Sequence, residues 1–332
     1  MGAPREVIGD DLGVIRSQFA PHRLRMAREL AGISQQDLAR EVDVTSAAVS
    51  QYERGVAIPT SRSIDAFSRR LSVPVAFFSM RDTGTGTPAF FRSVRSTPAT
   101  ERKQARHLTQ LVHELTCNLE VDVRLPSVDV PRHPVAAEAD NSEAAEAARG
   151  LRKDWHVPMG PIDNMVRLAE RHGVVIARPL SGHSGIDAFS VPFADRPVIV
   201  LSAVKGKKDR SRFGVAHEIG HLVMHDPDQN VSTRVEKQAD VFAAEFLMPR
   251  DEIEDELPQS ADWEELKRLK RRWQVSIQAL LYRARDLGRI DEHEYIRAMK
   301  AVSARGWRRH EPADLGEPES PVMLDRAIEI AG

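Results

Sequence analysis

A short segment near the middle of the chain carries residues that could bind and use a metal ion. It reads His217-Glu218-Ile219-Gly220-His221, and the surrounding apolar residues recur at helical spacing, which predicts one largely buried helix. Histidines four residues apart lie one turn apart on the same helix face, so both rings can reach a single ion. Zinc prefers such neutral nitrogen ligands, and a carboxylate one residue along can take a proton from water without binding the metal. The spacing therefore indicates the HExxH arrangement of a zinc hydrolase, with Glu218 as the catalytic carboxylate.

A third protein ligand separates this interpretation from its simpler alternative, two core or surface histidines beside a solvated glutamate. The segment from Ser232 to Pro249 has an apolar stripe typical of a second helix. At the margin of that stripe, Glu236 and Asp240 are four residues apart, and like charges at this spacing repel each other. A bound cation would make this pair useful, with Glu236 as the third ligand and Asp240 holding a ligand histidine by its other ring nitrogen.

Three alternatives remain open for the residues near this site. Glu236 also completes a capping-box pattern with Thr233, which would start the helix. Glu245 is a rival ligand two turns further along, and we expect it to point to solvent or the helix surface. His225 continues the histidine face but lies too far along a straight helix to share an ion with His217, so we expect it to support the site or the fold.

The two motifs together resemble the ImmA/IrrE metallopeptidase family, of the gluzincin type. The resemblance rests on the HExxH segment followed by Glu236 and a helix that ends in Leu247-Met248-Pro249, and it covers about residues 151–249. It implies zinc as the cofactor. The implied zinc ligands are His217, His221 and Glu236, and the implied catalytic carboxylate is Glu218. Because members of this family often cut a repressor of the XRE type, the resemblance also implies a protein substrate of that kind.

The N-terminal region has the pattern of short helices joined by tight turns. Ser34 and Asp37 form a capping-box pattern at the start of one helix, and a further helix follows over 45–55. Over about residues 19–80 the pattern resembles the XRE (Cro/CI-type) helix-turn-helix domain, which implies binding to double-stranded operator DNA. The alternative is a small helical domain that binds a protein partner.

The same resemblance implies which residues meet DNA. In that family the third helix reads base edges in the major groove and the second helix touches the phosphates. The candidate base contacts are Thr45, Ser46, Ala47, Ser50 and Gln51. The candidate backbone contacts are Gln35 and Arg54. The region is only mildly basic, which predicts modest or dimeric DNA binding and so a possible homodimer.

Composition limits the remaining function classes. The formal net charge is -2 over 332 residues, so DNA affinity must come from a local patch rather than from the whole chain. The single cysteine, Cys117, cannot form an internal disulfide, which fits a reducing compartment. We find neither a membrane-spanning apolar run nor a leader pattern, and therefore expect a cytoplasmic protein with no membrane partner.

The predicted fold class is α+β: an N-terminal all-α helix-turn-helix bundle, a gluzincin-like core with a small sheet beside the HExxH helix, and a C-terminal helical region. Short apolar runs predict three strands, at 174–177, 188–191 and 197–201. An edge strand of this sheet could pair with an extended peptide. The predicted divisions are an arm over 1–19, the helix-turn-helix domain over 20–82, a linker with connecting helices over 83–150, the metallopeptidase core over 151–250 and the C-terminal region over 251–332.

The sequence supports one main function and two alternatives. The main function is endopeptidase cleavage, in which the oxyanion needs a further donor. The candidate donors are Tyr282, Tyr295, His183 and His310. The first alternative is an XRE-type transcriptional regulator whose zinc site is structural or ligand-sensing, although a structural site would not need Glu218. The second is an antitoxin-like partner protein, for which the sequence offers no positive feature.

Overall fold

A computed structural model describes residues 9–80, 99–179, 188–202, 206–226 and 232–332, with side chains from residue 12 onward. The described chain forms two compact units, one of residues up to 80 with 99–111, and one of the described residues from 112 onward. One helix, α6 (Ala99–Leu119), begins in the first unit and ends in the second. The first part of the predicted linker, residues 83–98, lies outside the described residues.

The first unit is a helical bundle around its own apolar core. Its helices are α1 (Gly9–Ser17), α2 (Pro21–Leu30), α3 (Gln35–Glu41), α4 (Ser46–Glu53) and α5 (Ser61–Leu71), followed by a 3-10 turn over Val75–Ser79. The side chain of Ser34 accepts the backbone N–H of Asp37, which confirms the predicted cap of α3. Thr45 caps α4 in the same way. The buried centre of this bundle is formed by Leu24, Leu38, Val49, Ile64 and Phe67.

Residues 9–17 are not the loose arm that the weak sequence pattern predicted. They form α1, whose Ile15 is buried in the core of the first unit. Leu12 packs against the same core. The helix has few apolar residues, so its periodicity is weak, and contacts with the rest of the bundle stabilise it instead.

The second unit contains a small sheet covered by helices. Its strands are β1 (Val175–Ala177), β2 (Ala188–Pro192) and β3 (Pro197–Leu201), which confirms the predicted runs. The order is β1-β3-β2, with β1 parallel and β2 antiparallel to β3. Every residue of the central strand β3 is buried, as expected for an apolar run enclosed on both faces.

Nine helices of the second unit accompany the sheet in the described chain after α6. They are α7 (Asn141–Asp154), α8 (Met165–Arg171), α9 (Lys208–Met224), α10 (Thr233–Leu247), α11 (Arg250–Ile253), α12 (Trp263–Trp273), α13 (Ile277–Asp286), α14 (Glu292–Ala304) and α15 (Met323–Ala331). The two units together give the predicted α+β class.

Helix α10 packs between α9 and α7 in the core of this unit. The predicted boundary between linker and metallopeptidase core, at 150/151, therefore falls inside α7. Ala144, Ala148 and Leu151 of α7 are fully buried in the same core as α9 and α10. The sequence suggested a connecting helix because α7 is rich in alanine and glutamate, but small alanine side chains also let two helices approach closely.

The contact between α9 and α10 depends on a glycine in the HExxH segment. A Cβ atom at Gly220 would lie 2.9 Å from Cδ1 and 3.0 Å from Cγ of Phe242. Phe242 is itself fully buried, so its ring has little room to move away. Gly220 thus sets how closely the two helices approach each other.

We expect Gly220→Ala to lower the free energy of unfolding of the second unit by about 1–3 kcal/mol, because the added methyl overpacks the helix contact. Urea denaturation followed by tryptophan fluorescence measures this unit, since all four tryptophans lie in it. Gly206→Ala is the matched control, because a Cβ there meets no atom within 4 Å. Equal stability of the two variants would contradict the proposed role of Gly220.

Candidate metal centre

Helices α9 and α10 bring the three predicted ligands together. The Nε2 atom of His217 lies 3.5 Å from one Glu236 carboxylate oxygen, and Nε2 of His221 lies 3.7 Å from the other. The two Nε2 atoms are 3.1 Å apart. Ligand atoms around one tetrahedral zinc ion are separated by about 3.3–3.6 Å, as follows from the usual bond lengths. The observed separations are close to those that a shared ion requires.

The Glu236 carboxylate carries a further sign of a missing partner. Its Oε1 atom is buried and has no hydrogen-bond partner among the described residues. A buried acceptor without a partner is costly, because it has lost its hydration without replacement. A cation bound between this oxygen and the two rings would satisfy it, so the donor set fits a metal ion.

Asp240 orients the first histidine. Its Oδ1 atom lies 2.9 Å from Nδ1 of His217. Since a carboxylate only accepts, Nδ1 of His217 carries the proton and donates it. The ring is therefore held with Nε2 facing His221 and Glu236. The role predicted for Asp240, to hold a histidine that binds zinc, stays a prediction.

A buried chain of hydrogen bonds orients the second histidine. The Gln238 amide donates from Nε2 to the carbonyl oxygens of Ala136 and Ala139, at 2.9 and 3.3 Å. Its Oε1 atom then accepts from Nε2 of His225 at 3.2 Å. The remaining His225 nitrogen, Nδ1, faces Nδ1 of His221 at 2.9 Å.

These hydrogen bonds from Gln238 through His225 select the tautomer of His221. Because Nε2 of His225 donates to Gln238, a neutral His225 has a bare Nδ1 that accepts from His221. His221 then carries its proton on Nδ1 and presents the lone pair of Nε2 to the cluster. The expectation that His225 supports the site agrees with this geometry. Sequence analysis missed Gln238, because no motif distinguishes it from the other residues of α10.

A serine in the sheet holds the predicted catalytic carboxylate. Ser190, at the centre of β2, donates its hydroxyl to Oε2 of Glu218 at 2.6 Å. Ser190 is fully buried, and Glu218 is 3% exposed. Sequence analysis missed this residue. The only signal was a single hydroxyl in an otherwise apolar strand.

The charges of the cluster are strongly coupled. Burial alone would lower the pKa of His217, but hydrogen bonds to Asp240 and Glu236 raise it to about 10. Burial would raise the pKa of Glu236, but the neighbouring imidazole rings of His217 and His221 hold it well below its ordinary value. Without a metal, the pair is therefore a protonated imidazole beside a carboxylate.

Glu245 does not point to solvent as expected. It is 2% exposed, and it pairs with Arg283 of α13 and, at 3.0 Å, with Arg149 of α7. It also accepts the backbone N–H of Arg250 at 3.2 Å. The expectation was wrong because helical periodicity cannot show a partner from a distant helix. With two arginines bound, Glu245 joins helices rather than serving as a rival metal ligand.

The alternative capping box at the start of α10 is replaced by a different cap. Ser232, rather than Thr233, is the capping residue, and its hydroxyl accepts the N–H of Val235 at 3.2 Å. Glu236 therefore lies one position beyond the place that a capping box requires, and its carboxylate is turned to the histidines.

The proposed oxyanion donors lie in different surroundings. Tyr282 and Tyr295 flank Arg285, whose guanidinium lies 4.5 and 4.3 Å from their ring centres. Burial raises the pKa of Tyr282, against the opposing charge of Arg285. His310 is exposed and His183 lies outside the described residues.

The candidate DNA contacts form a largely exposed surface at α4. Its exposed members are Thr45, Ser46, Ala47, Gln51 and Arg54, while Ser50 is half-buried. The half-buried Gln35 donates its amide to Glu53 at 2.7 Å, and Glu53 also binds Arg28 at 2.6 Å. These contacts fix Gln35 at the start of α3, and its role at DNA stays a prediction.

Comparison with known families defines the class of each part. Residues 24–78 match the family model described as helix-turn-helix. Residues 169–285 match the Peptidase_M78 model, described as an IrrE N-terminal-like domain, of a metallopeptidase-type family. No curated protein matches the chain significantly. The chain thus fuses an XRE-type helix-turn-helix domain to an IrrE-like domain, which confirms the predicted combination. Among the described residues, no helix is both long and apolar enough to cross a membrane.

We expect the ring of His217 in metal-free protein to titrate with a pKa of about 10. Because this pKa is raised, its contribution to stability is complete below the unfolded value of about 6.5 and is lost as the pH rises through about 10. Asp240→Asn removes the charged acceptor and is expected to lower the pKa by about 1–3 units. A histidine-ring NMR titration measures both values, and the other histidine signals report whether the fold is retained. An unchanged His217 pKa in the variant would contradict the assigned contact.

Proposed function

We propose that this protein is a zinc-dependent endopeptidase with a fused DNA-binding domain, which regulates transcription by cleaving a repressor-type protein in the cytoplasm. The observation that carries the proposal is the convergence of His217, His221 and Glu236 beside a buried Glu218. A purely structural metal site gains nothing from a carboxylate that is held next to the ligands but directed elsewhere. Glu218, which a hydrolase needs and a structural site does not, therefore favours an enzyme.

The proposed mechanism assigns one task to each residue. His217, His221 and Glu236 hold the zinc, which when bound supplies a Lewis acid and makes water a stronger nucleophile at neutral pH. Glu218 accepts the proton of the attacking water and then delivers it to the leaving amine. Ser190 occupies one oxygen of Glu218 and leaves the other for the reacting water.

Two features support a polypeptide as substrate. In the described chain, β2 lies at one edge of the sheet, and a sheet edge is where an extended peptide can add as a further strand. This same strand carries Ser190 and packs against α9. An extended peptide added at this edge would pass near Glu218.

The candidate partners are an XRE-type repressor as substrate and an operator duplex bound by α4, with a homodimer of the chain as a possible binding form.

We expect Glu218→Gln to lower kcat/KM for cleavage of an XRE-type repressor by at least about 10²-fold, because it removes the general base. Zinc content is expected to stay unchanged, since Glu218 is not a ligand, and elemental analysis of the purified variant checks this. His221→Ala is the contrasting variant, in which the zinc of this centre, one ion per chain, and the cleavage should both be lost. Full activity of Glu218→Gln would reject the proposed base.

We expect Ser190→Ala to lower kcat by about tenfold with little change in KM, because Glu218 loses its positioning contact but keeps its chemistry. Ser190→Thr keeps a hydroxyl and is expected to recover part of the loss. Steady-state kinetics with the same repressor separates these effects. A defect confined to KM would instead place Ser190 in substrate binding.

We expect Gln51→Ala to weaken binding to a duplex selected from a random-sequence pool by about 1–3 kcal/mol, since the side chain is exposed on the helix assigned to base readout. Binding to an unselected duplex should change little. Fluorescence anisotropy at fixed salt, with and without chelator, measures both affinities. Binding that responds to chelator would favour a metal-sensing regulator over an enzyme.

A further inference from the structure

A second group of metal-ligand side chains lies in the second unit, away from the HExxH segment. His113 and Cys117 are one turn apart on α6, and Asp195 lies in the turn between β2 and β3. The Nε2 atom of His113 is 2.8 and 2.9 Å from the two Asp195 oxygens. The Cys117 sulfur is 3.6 Å from the same nitrogen and 3.5 Å from Oδ2 of Asp195.

These separations are close to those around a single ion. With usual bond lengths of about 2.3 Å to sulfur and about 2.0–2.1 Å to nitrogen and oxygen, tetrahedral zinc places sulfur about 3.5–3.6 Å from the other two ligands. Both observed sulfur distances agree with this. The distance between Nε2 of His113 and the Asp195 oxygen needs to widen by only about 0.5 Å from its hydrogen-bonded length. Asp195 can make this movement, because half of its side chain is exposed to solvent.

The surrounding residues hold the three ligands in place. The His113 ring is buried and stacks on Phe193, with ring centres 3.9 Å apart. Arg196, the residue after Asp195, binds Glu120 just beyond α6 and donates to the carbonyl oxygens of Pro126 and Gly173. The turn is therefore fixed against the end of α6, so the ligands come from two anchored elements.

The arrangement does not suit a nucleophilic cysteine. In a cysteine-histidine-acid group, the thiol and the acid contact different nitrogens of the ring. Here Asp195 and the nearer thiol contact both meet Nε2 of His113. Burial and the charge of Asp195 also raise the pKa of the Cys117 thiol to about 11, so that near neutral pH it is protonated and weakly nucleophilic.

We propose that His113, Cys117 and Asp195 form a second metal site, which takes a thiophilic divalent transition-metal ion such as Zn²⁺. Cys117 binds as the thiolate and releases its proton to solvent, while His113 binds through neutral Nε2 and Asp195 through one oxygen. The fourth position is left for water or another small ligand. The mixed sulfur, nitrogen and oxygen ligands select zinc or its neighbours over Mg²⁺ and Ca²⁺, which prefer oxygen.

The position of this site gives it a consequence for the rest of the second unit. It would link the end of α6 to the turn that follows β2, and β2 carries the Ser190 that holds Glu218. Occupancy would therefore stabilise the hairpin that positions the proposed catalytic base. The site does not depend on the proposed peptidase activity, because it shares no ligand with the HExxH cluster.

Cobalt absorption tests the site directly. Cys117 is the only cysteine of the chain, so a thiolate-to-cobalt charge-transfer band reports on this site alone, and the HExxH cluster has no sulfur to produce one. We expect Co²⁺ titration of the metal-free full chain to give this band with micromolar or tighter affinity, saturating after at most two ions per chain, because the HExxH cluster also takes up cobalt. Zn²⁺ should then displace the cobalt and abolish the band.

Variants decide whether the three residues act together. Asp195→Asn and His113→Gln keep the thiol but are each expected to weaken cobalt binding at the band by at least about tenfold. Asp122→Asn is the matched control, because Asp122 is an exposed carboxylate near the end of α6 and outside the group. His221→Ala should keep the band while losing the other metal, which separates this site from the proposed peptidase centre.

Three results would overturn the proposal. They are the absence of the band, a band that forms only at millimolar cobalt, and a band whose affinity is unchanged in Asp195→Asn and His113→Gln. The last result would mean that Cys117 binds cobalt as an isolated thiol. Circular dichroism of each metal-free variant verifies that it is folded, and Asp195→Asn serves as the deciding variant if His113→Gln does not fold.

Discussion

The close approach of α9 and α10 at Gly220 and Phe242 is the constraint on which the candidate metal centre depends. Two histidines on one helix can present nitrogens to a common point, but a tetrahedral ion needs a third ligand from elsewhere. Glu236 reaches that point because no Cβ separates the two helices at Gly220. Gly220 therefore matters because it lets α10 approach α9 closely, and not because of the freedom of its backbone.

Around this contact, almost every polar atom is oriented by a neighbour. Asp240 fixes one ring, and the chain through His225 and Gln238 fixes the other. Ser190 fixes the carboxylate of Glu218. Buried polar groups normally find partners, and Oε1 of Glu236 is one of the few buried side-chain atoms of the described residues that has none. It lies where the candidate metal ligands converge, in the orientation that a bound cation would use.

Buried ion pairs connect the C-terminal helices to this arrangement. Arg283 of α13 binds Glu245 of α10, and Lys270 of α12 binds Asp209 at the start of α9 with a distance of 2.8 Å. Arg212 of α9 pairs with Glu319, so the segment before α15 is tied to the same helix. Leu266, Leu269 and Trp273 of α12 belong to the same apolar core as α9 and α10. The region after 250 is therefore part of the second unit's core, which agrees with a family match that continues to residue 285.

The sequence by itself determined the features that a local pattern encodes, which are helix faces, strands and the starts of helices. Four-residue spacing placed His217 and His221 on one face, alternating and continuous apolar runs gave the strands, and Ser34 marked the start of a helix. Tertiary structure alone decided which distant groups meet these elements: Ser190 against Glu218, Gln238 against His225, Arg283 against Glu245, and Asp195 beside His113 and Cys117. The physical reason is that periodicity records which face of an element is buried. The partner on that face is set by packing between segments far apart in the chain, and local spacing carries no record of it.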